Sequence, residues 1–258
     1  MTTQIAHAEN LAQLHTAPQI LRLVNVWDVV SAKAIADLPE TKALATAGHS
    51  IAATFGYKDG ENIPLEVMLD MVRRIAEAVD LPVTADLDAG FGNAGETVRK
   101  AIAAGVVGAN IEDRLKPLAE SVAVVEAAIA AGEAEGVPFV LNARTDAFVR
   151  AGDRAMADSI ADAIERGRAY LAAGATTVFV PGILNADVTR QLVEGIGDRK
   201  VSVIGLPGAL TAAEYEALGV ARISYGPMTQ RVALTALQDV AKDLYADGAI
   251  PTSTRALN

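Results

Sequence analysis

Residues 83–92 read VTADLDAGFG: two aspartates stand two positions apart at the end of an apolar run, with a glycine-rich turn behind them. On a β-strand, positions i and i+2 point to one face, so Asp86 and Asp88 are expected to face a common pocket. Two close carboxylates raise each other's pKa unless a cation neutralises them. Mg2+ takes oxygen ligands and usually keeps several waters, which suits such a pair. Glu112 ends the next apolar run and is expected within reach. Solvated loop acids, or partners of Arg144, are the alternative reading of the same residues.

Other polar residues gather where apolar runs end. Trp27 and Asp28 follow one run, Gly48 and His49 another, and Asp113 stands beside Glu112. Asn142, Arg144 and Asp146 close a further run, and Tyr225 the last. A guanidinium suits two-point recognition of a carboxylate or phosphate, so Arg144 reads as a substrate ligand or as the structural partner of Glu112. Trp27, the only tryptophan, is a rim packing residue on general grounds. His49 offers either a side chain for acid–base work or only its backbone N–H. His7 and His15 precede every expected strand and receive no role.

The elements that must position these residues alternate along the whole chain. Strands are expected at 20–26, 43–46, 83–88, 107–112, 139–144, 177–181, 201–205 and 222–226. Between them, stretches such as 65–79 and 161–173 carry apolar residues at helical spacing. Gly105, Gly174 and Gly219 each follow a last helical turn just before a strand, where a left-handed residue ends a helix. Eight strands with intervening helices and no break in composition predict one (β/α)8 barrel over residues 1–258. Residues 1–19 form an N-terminal segment and 228–258 a C-terminal helix and tail. A doubly wound sheet is the alternative, but the first strand ends in NVWD rather than a phosphate-binding glycine motif.

Bulk properties exclude several classes. The 258 residues are 51% hydrophobic with a formal net charge of −10, and the mean hydropathy is +0.27. A core is assured, and so acidic a chain with no basic stripe is not expected to bind nucleic acid. Cysteine is absent, which removes disulfides, thiolate metal sites and cysteine nucleophiles. No apolar run approaches the ~20 residues of a membrane span, and the N-terminus lacks a signal-peptide pattern. A cytoplasmic protein without membrane partners is expected.

Taken together, NVWD (25–28), FGYKDGE (55–61), DLDAGFG (86–92), ANIED (109–113) and NARTDAF (142–148) resemble the isocitrate lyase/phosphoenolpyruvate mutase superfamily. The resemblance implies a (β/α)8 barrel dependent on Mg2+, with Mn2+ as a possible substitute, acting on a small oxo- or hydroxy-carboxylate. It implies that Asp86 binds the metal most directly, with Asp88 and Glu112 supporting it largely through metal-bound water. It places Trp27 and the backbone around Gly48 and His49 on the substrate's carboxylate and keto oxygen. Asp59 falls at a family active-site aspartate and Arg144 at the substrate-binding arginine. It also implies dimers or tetramers that exchange a C-terminal helix, here 229–244.

Two departures bear on the reaction. The family's lyases use a cysteine acid–base that this chain lacks. The stretch after I-E-D is only DRLKPLAESV before helical periodicity resumes, so little is left for a closing lid; Lys116 stands there either as a lid residue or as a solvated surface lysine. The sequence therefore predicts a Mg2+-dependent carbon–carbon lyase working through a stabilised enolate, oxaloacetate decarboxylase-like or methylisocitrate lyase-like, with His49 as proton donor. The alternatives are a C–P or C–C hydrolase or phosphonomutase-like enzyme, and a non-catalytic carboxylate-binding relative.

Overall fold

The apolar runs become short parallel strands in a computed structural model that describes residues 2–257. They are β1 (Leu21–Leu23), β2 (Asn25–Val26), β3 (Leu44–Thr46), β4 (Val83–Asp86), β5 (Gly108–Glu112), β6 (Val140–Arg144), β7 (Thr177–Phe179), β8 (Val201–Ile204) and β9 (Arg222–Ser224). All neighbours are parallel, in the order β1-β9-β8-β7-β6-β5-β4-β3-β2. The expected first strand is split at Val24: β1 pairs with β9, and β2 pairs with β3. One chain segment thereby joins both ends of the sheet, and the nine strands form the predicted barrel. Asn25 reinforces the closure, its Oδ1 accepting from the N–H groups of Tyr225 (2.7 Å) and Gly226 (2.8 Å).

Helices alternate with the strands: α1 (Thr2–Thr16), α2 (Val29–Ala36), α3 (Gly48–Thr54), α4 (Leu65–Glu77), α5 (Ala94–Ala103), α6 (Leu118–Ala134), α7 (Met156–Ala172), α8 (Ala186–Ile196), α9 (Ala212–Ala217) and α10 (Met228–Tyr245). Helix α4 shows why they form, since Met68, Leu69, Val72 and Ile75 fall at helical spacing and are buried. Side-chain caps start several of them, as where Asn93 Oδ1 accepts from Glu96 N and Asn185 Oδ1 from Val188 N. The three junction glycines have φ of +96° (Gly105), +101° (Gly174) and +84° (Gly219), the left-handed conformation expected of them.

The N-terminal segment, read from sequence only as a segment, is the helix α1. It buries Ala8, Leu11 and His15, and Gln4 Nε2 donates to the carbonyls of Ile102 (2.7 Å) and Val106 (3.2 Å), beside the start of β5. His15 Nδ1 bonds the Leu11 carbonyl at 2.7 Å, while Nε2 is buried without a partner among the described residues. Burial, reinforced by the charge of Arg222, pushes the His15 pKa down to about 3.

At the other end of the chain, α10 is mostly exposed. Val232 is 70% exposed, Leu237 62% and Tyr245 92%, so this helix leaves an apolar face uncovered. Among the described residues, no helix is long and apolar enough to cross a membrane.

Candidate active site

A cavity of about 750 Å3 opens where the strands end, the mouth at which barrel enzymes place their chemistry. Five carboxylates, those of Asp59, Asp86, Asp88, Glu112 and Asp146, line it with three arginines, Arg114, Arg144 and Arg150. His49, Asn110, Asn25 and Ser224 add to its polar wall.

Asp86 ends β4. Its Oδ2 accepts the Gly48 N–H at 3.1 Å, and a Cβ at Gly48 would lie 3.1 Å from the same oxygen. Glycine there lets the start of α3 approach the carboxylate, and its N–H is engaged by Asp86. Burial pushes the Asp86 carboxyl up, against the pull of Arg144 and the Gly48 N–H. Asp88 is not on the strand as expected: β4 stops at Asp86, and Asp88 has φ +48°. It shares the cavity because the chain turns through Gly90 (φ +87°) and Phe91 (φ +50°), not because of strand alternation. Burial, followed by the charges of Asp86, Asp59, Glu112 and Glu61, pushes Asp88 up to about 8.

Glu61 holds that turn in place. Its Oε1 accepts from the N–H groups of Ala89 (3.1 Å) and Phe91 (2.6 Å), and its Oε2 meets Arg114 Nη1 at 3.1 Å. Sequence reading missed both Glu61 and Arg114; Glu61 ends FGYKDGE and Arg114 follows ANIED, but nothing in their spacing links residue 61 to 89 and 114. Four non-glycine residues with positive φ (Asp88, Phe91, Arg114 and Leu115) lie on the two loops at this mouth, where strained backbone is held by surrounding bonds.

Both oxygens of Glu112 meet arginines: Oε1 lies 3.0 Å from Arg114 Nε, and Oε2 lies 2.8 Å from Arg144 Nη1. Burial raises the Glu112 carboxyl, with Arg144 pulling the other way. Arg144 also meets Asp146 (2.8 Å) and lies 5.9 Å from the centroid of the Phe179 ring. Arg144 thus pairs with Glu112, as the structural reading expected, and also lines the cavity. Asp113 turns away from it, accepting from Tyr170 Oη (2.7 Å), Arg166 Nη1 (3.2 Å) and the Asp146 N–H (3.0 Å).

His49 Nδ1 stands 3.4 Å from Asp59 Oδ2 on the cavity rim. Trp27 is not brought to the acids; it lines a neighbouring apolar groove with Val30, Tyr225, Met228 and Val232. Asp28 caps α2, accepting the Ser31 N–H at 2.7 Å. Lys116 is exposed and does not line the cavity; its carbonyl accepts from Arg166 Nη1. Only residues 113–117 separate β5 from α6, so the lid is as short as expected.

The donor set fits a water-rich divalent ion. Among the described residues, no three His, Asp or Glu side chains are grouped to hold one ion, so Asp86, Asp88 and Glu112 are not a closed three-carboxylate cage. Mg2+ needs none, because it keeps several of its own waters. The lining carboxylates outnumber the arginines by two, the imbalance a divalent cation neutralises. Asp88 accepts no hydrogen bond on its carboxylate among the described residues, although it is buried.

The chain matches the phosphoenolpyruvate phosphomutase family over residues 11–245. It is 34% identical over 248 residues to an oxaloacetate decarboxylase of Rhodopseudomonas palustris strain HaA2, covering 92% of this chain and 84% of the relative. A crystal structure from Burkholderia cenocepacia J2315, provisionally named a phosphonomutase, is 36% identical with a TM-score of 0.87, covering 93% of this chain and 98% of that one. An oxaloacetate acetylhydrolase in complex with the product oxalate is 25% identical with a TM-score of 0.84, covering 96% and 90%.

Proposed function

Because the chain belongs to the phosphoenolpyruvate phosphomutase family, within the isocitrate lyase/phosphoenolpyruvate mutase superfamily, we propose that it is a Mg2+-dependent carbon–carbon lyase that decarboxylates oxaloacetate. The observation that carries this reading is the excess of carboxylates over arginines around one cavity, Asp86 at the end of β4 among them. Asp86 would hold the metal directly, and Asp88 and Glu112 would hold its waters. When bound, Mg2+ supplies the positive charge that polarises a keto oxygen and stabilises an enolate; Mn2+ can replace it.

The chain's own groups do the remaining work. Arg144, fixed by Glu112 and Asp146, offers its guanidinium to a substrate carboxylate. The bond to the departing carboxylate breaks, its electron pair passes into the enolate, and CO2 leaves. His49, with Nδ1 held towards Asp59, donates a proton from Nε2 to the enolate carbon, yielding pyruvate, and regains it from solvent. The short 113–117 loop favours this over phosphoryl transfer, since protonation tolerates water and a reactive phosphoryl intermediate requires its exclusion.

Helix α10, with its apolar side chains exposed, packs on a second copy in this reading, giving a dimer or, as a dimer of dimers, a tetramer.

The test is pyruvate release from oxaloacetate, 2-methylisocitrate and phosphonopyruvate, with Mg2+ and with EDTA, using Asp86→Ala to subtract metal-catalysed background. Turnover of oxaloacetate lost in EDTA and in the variant is expected. Phosphate release from phosphonopyruvate alone would make the enzyme a hydrolase. Oxaloacetate loss no faster than with Asp86→Ala would refute the decarboxylase.

A further inference from the structure

Barrel interiors are ordinarily filled by branched apolar side chains, but the layer beneath this cavity is polar. Asn110, Asn142, Thr177, Ser202 and Arg222 are all buried there. Arg222 Nη2 lies 3.2 Å from one amide atom of Asn110. A guanidinium donates and never accepts, so that atom is the oxygen, Oδ1. Asn142 then presents its nitrogen to the same Oδ1 at 2.8 Å, and its own Oδ1 accepts from Thr177 Oγ1 at 2.8 Å. Asn142 Nδ2 also reaches Ser202 Oγ at 3.2 Å.

Two donors from different strands thus orient one side chain. Asn110 lines the cavity, and in the sheet it stands in register between Asp86 and Asn142. Its Oδ1 is held by the network, and its Nδ2 donates to nothing among the described residues. Turning the amide over would set Nδ2 against the Arg222 N–H groups and present an oxygen to an already acidic cavity. Arg222 gains little from this arrangement itself, since its Nε and Nη1 are buried without partners.

We propose that Asn110 is a specificity-determining residue whose Nδ2 donates a hydrogen bond to a carboxylate oxygen of the bound oxo acid, and that Arg222 is the positioning residue that keeps this donor turned to the ligand. The inference rests on the carboxylate-lyase reading above.

Oxalate separates the two. Its planar O–C–C–O edge mimics the enolate of pyruvate, and it has no β-carboxylate to lose. Calorimetric titration of oxalate at saturating Mg2+ would compare wild type, Asn110→Ala, Asn110→Asp, Arg222→Lys, Arg222→Met and the Asn110→Ala/Arg222→Met double variant. Mg2+ affinity would be measured separately for each. Asn110→Ala weakens oxalate about tenfold, Asn110→Asp more, and Arg222→Lys stays near wild type because ammonium also only donates. Arg222→Met weakens it too, and the double variant is no weaker than Asn110→Ala, because Arg222 acts through Asn110.

Wild type that binds no oxalate would overturn the carboxylate-lyase reading, and this inference with it. Wild-type binding with Asn110→Ala equally tight would overturn the Asn110 donor alone. Additive losses in the double variant would overturn the positioning role of Arg222. If the Arg222 variants fail to fold, the Asn110 pair still decides the donor.

Discussion

Arg144 and Glu112 stand opposite each other in register on β6 and β5, with Nη1 and Oε2 2.8 Å apart. The pair is the centre of a chain of charges running from Glu61 through Arg114, Glu112 and Arg144 to Asp146 and Arg150. It ties three loops of the cavity mouth together, so geometry at Arg144 depends on residues far apart in sequence.

Arg144→Met leaves Glu112 and Asp146 without their shared cation and is expected to lower stability by about 3 kcal/mol in urea unfolding. Arg144→Lys retains the charge and most of that stability. It loses the two-point geometry, and kcat/KM falls about a hundredfold. Full kcat/KM in the lysine variant would show that the guanidinium does not contact the substrate.

Asp86 and Asp88 repel each other in a cavity that partly desolvates them. In EDTA, Asp88→Asn should therefore melt above wild type, by about 3 °C for roughly 1 kcal/mol of relieved repulsion. Mg2+ raises the wild-type Tm by binding the folded state, and Asp86→Asn abolishes that rise. Thermal melts with and without Mg2+ check both; an undiminished Mg2+ effect in Asp86→Asn would place the ion elsewhere.

His15 makes stability depend on pH. Its folded pKa of about 3 lies below its ordinary value of 6.5, so between the two the unfolded chain binds a proton that the folded chain refuses. Stability from this group is full above pH 6.5 and is lost as pH falls towards 3. At pH 5 the loss is about 2 kcal/mol. Comparing urea unfolding at pH 7 and pH 5, His15→Gln should lose about 2 kcal/mol less than wild type. Equal losses would mean the ring is protonated inside the fold.

The apolar residues on α10 call for a partner. Sedimentation should give a mass at least twice the 26.8 kDa chain. Val232→Glu with Leu237→Glu should return it to a monomer, because two charges cannot be buried unpaired in the interface. A wild-type monomer would dismiss the second copy.

The sequence by itself determined the barrel, its helix–strand alternation and the acids that line its mouth. Those features are local: apolar runs of strand length, helical periodicity, and glycines where helices must turn. The resemblance carried by the motifs from Asn25 to Phe148 agreed with the family match over residues 11–245. Asp86, Glu112 and Arg144 were legible because each ends an apolar run.

Tertiary structure alone decided the rest. Asp88 faces the cavity through a left-handed turn, which two-residue alternation does not describe. Glu61, Arg114, Asn110 and Arg222 took their roles from contacts up to 112 positions apart in the chain. Trp27, just past the end of β2, lay in a groove beside α10 rather than among the acids. A single sequence records which residues alternate or repeat, because neighbours share one backbone geometry. Which distant donor meets which acceptor is set only when the barrel closes and burial obliges each polar group to find a partner.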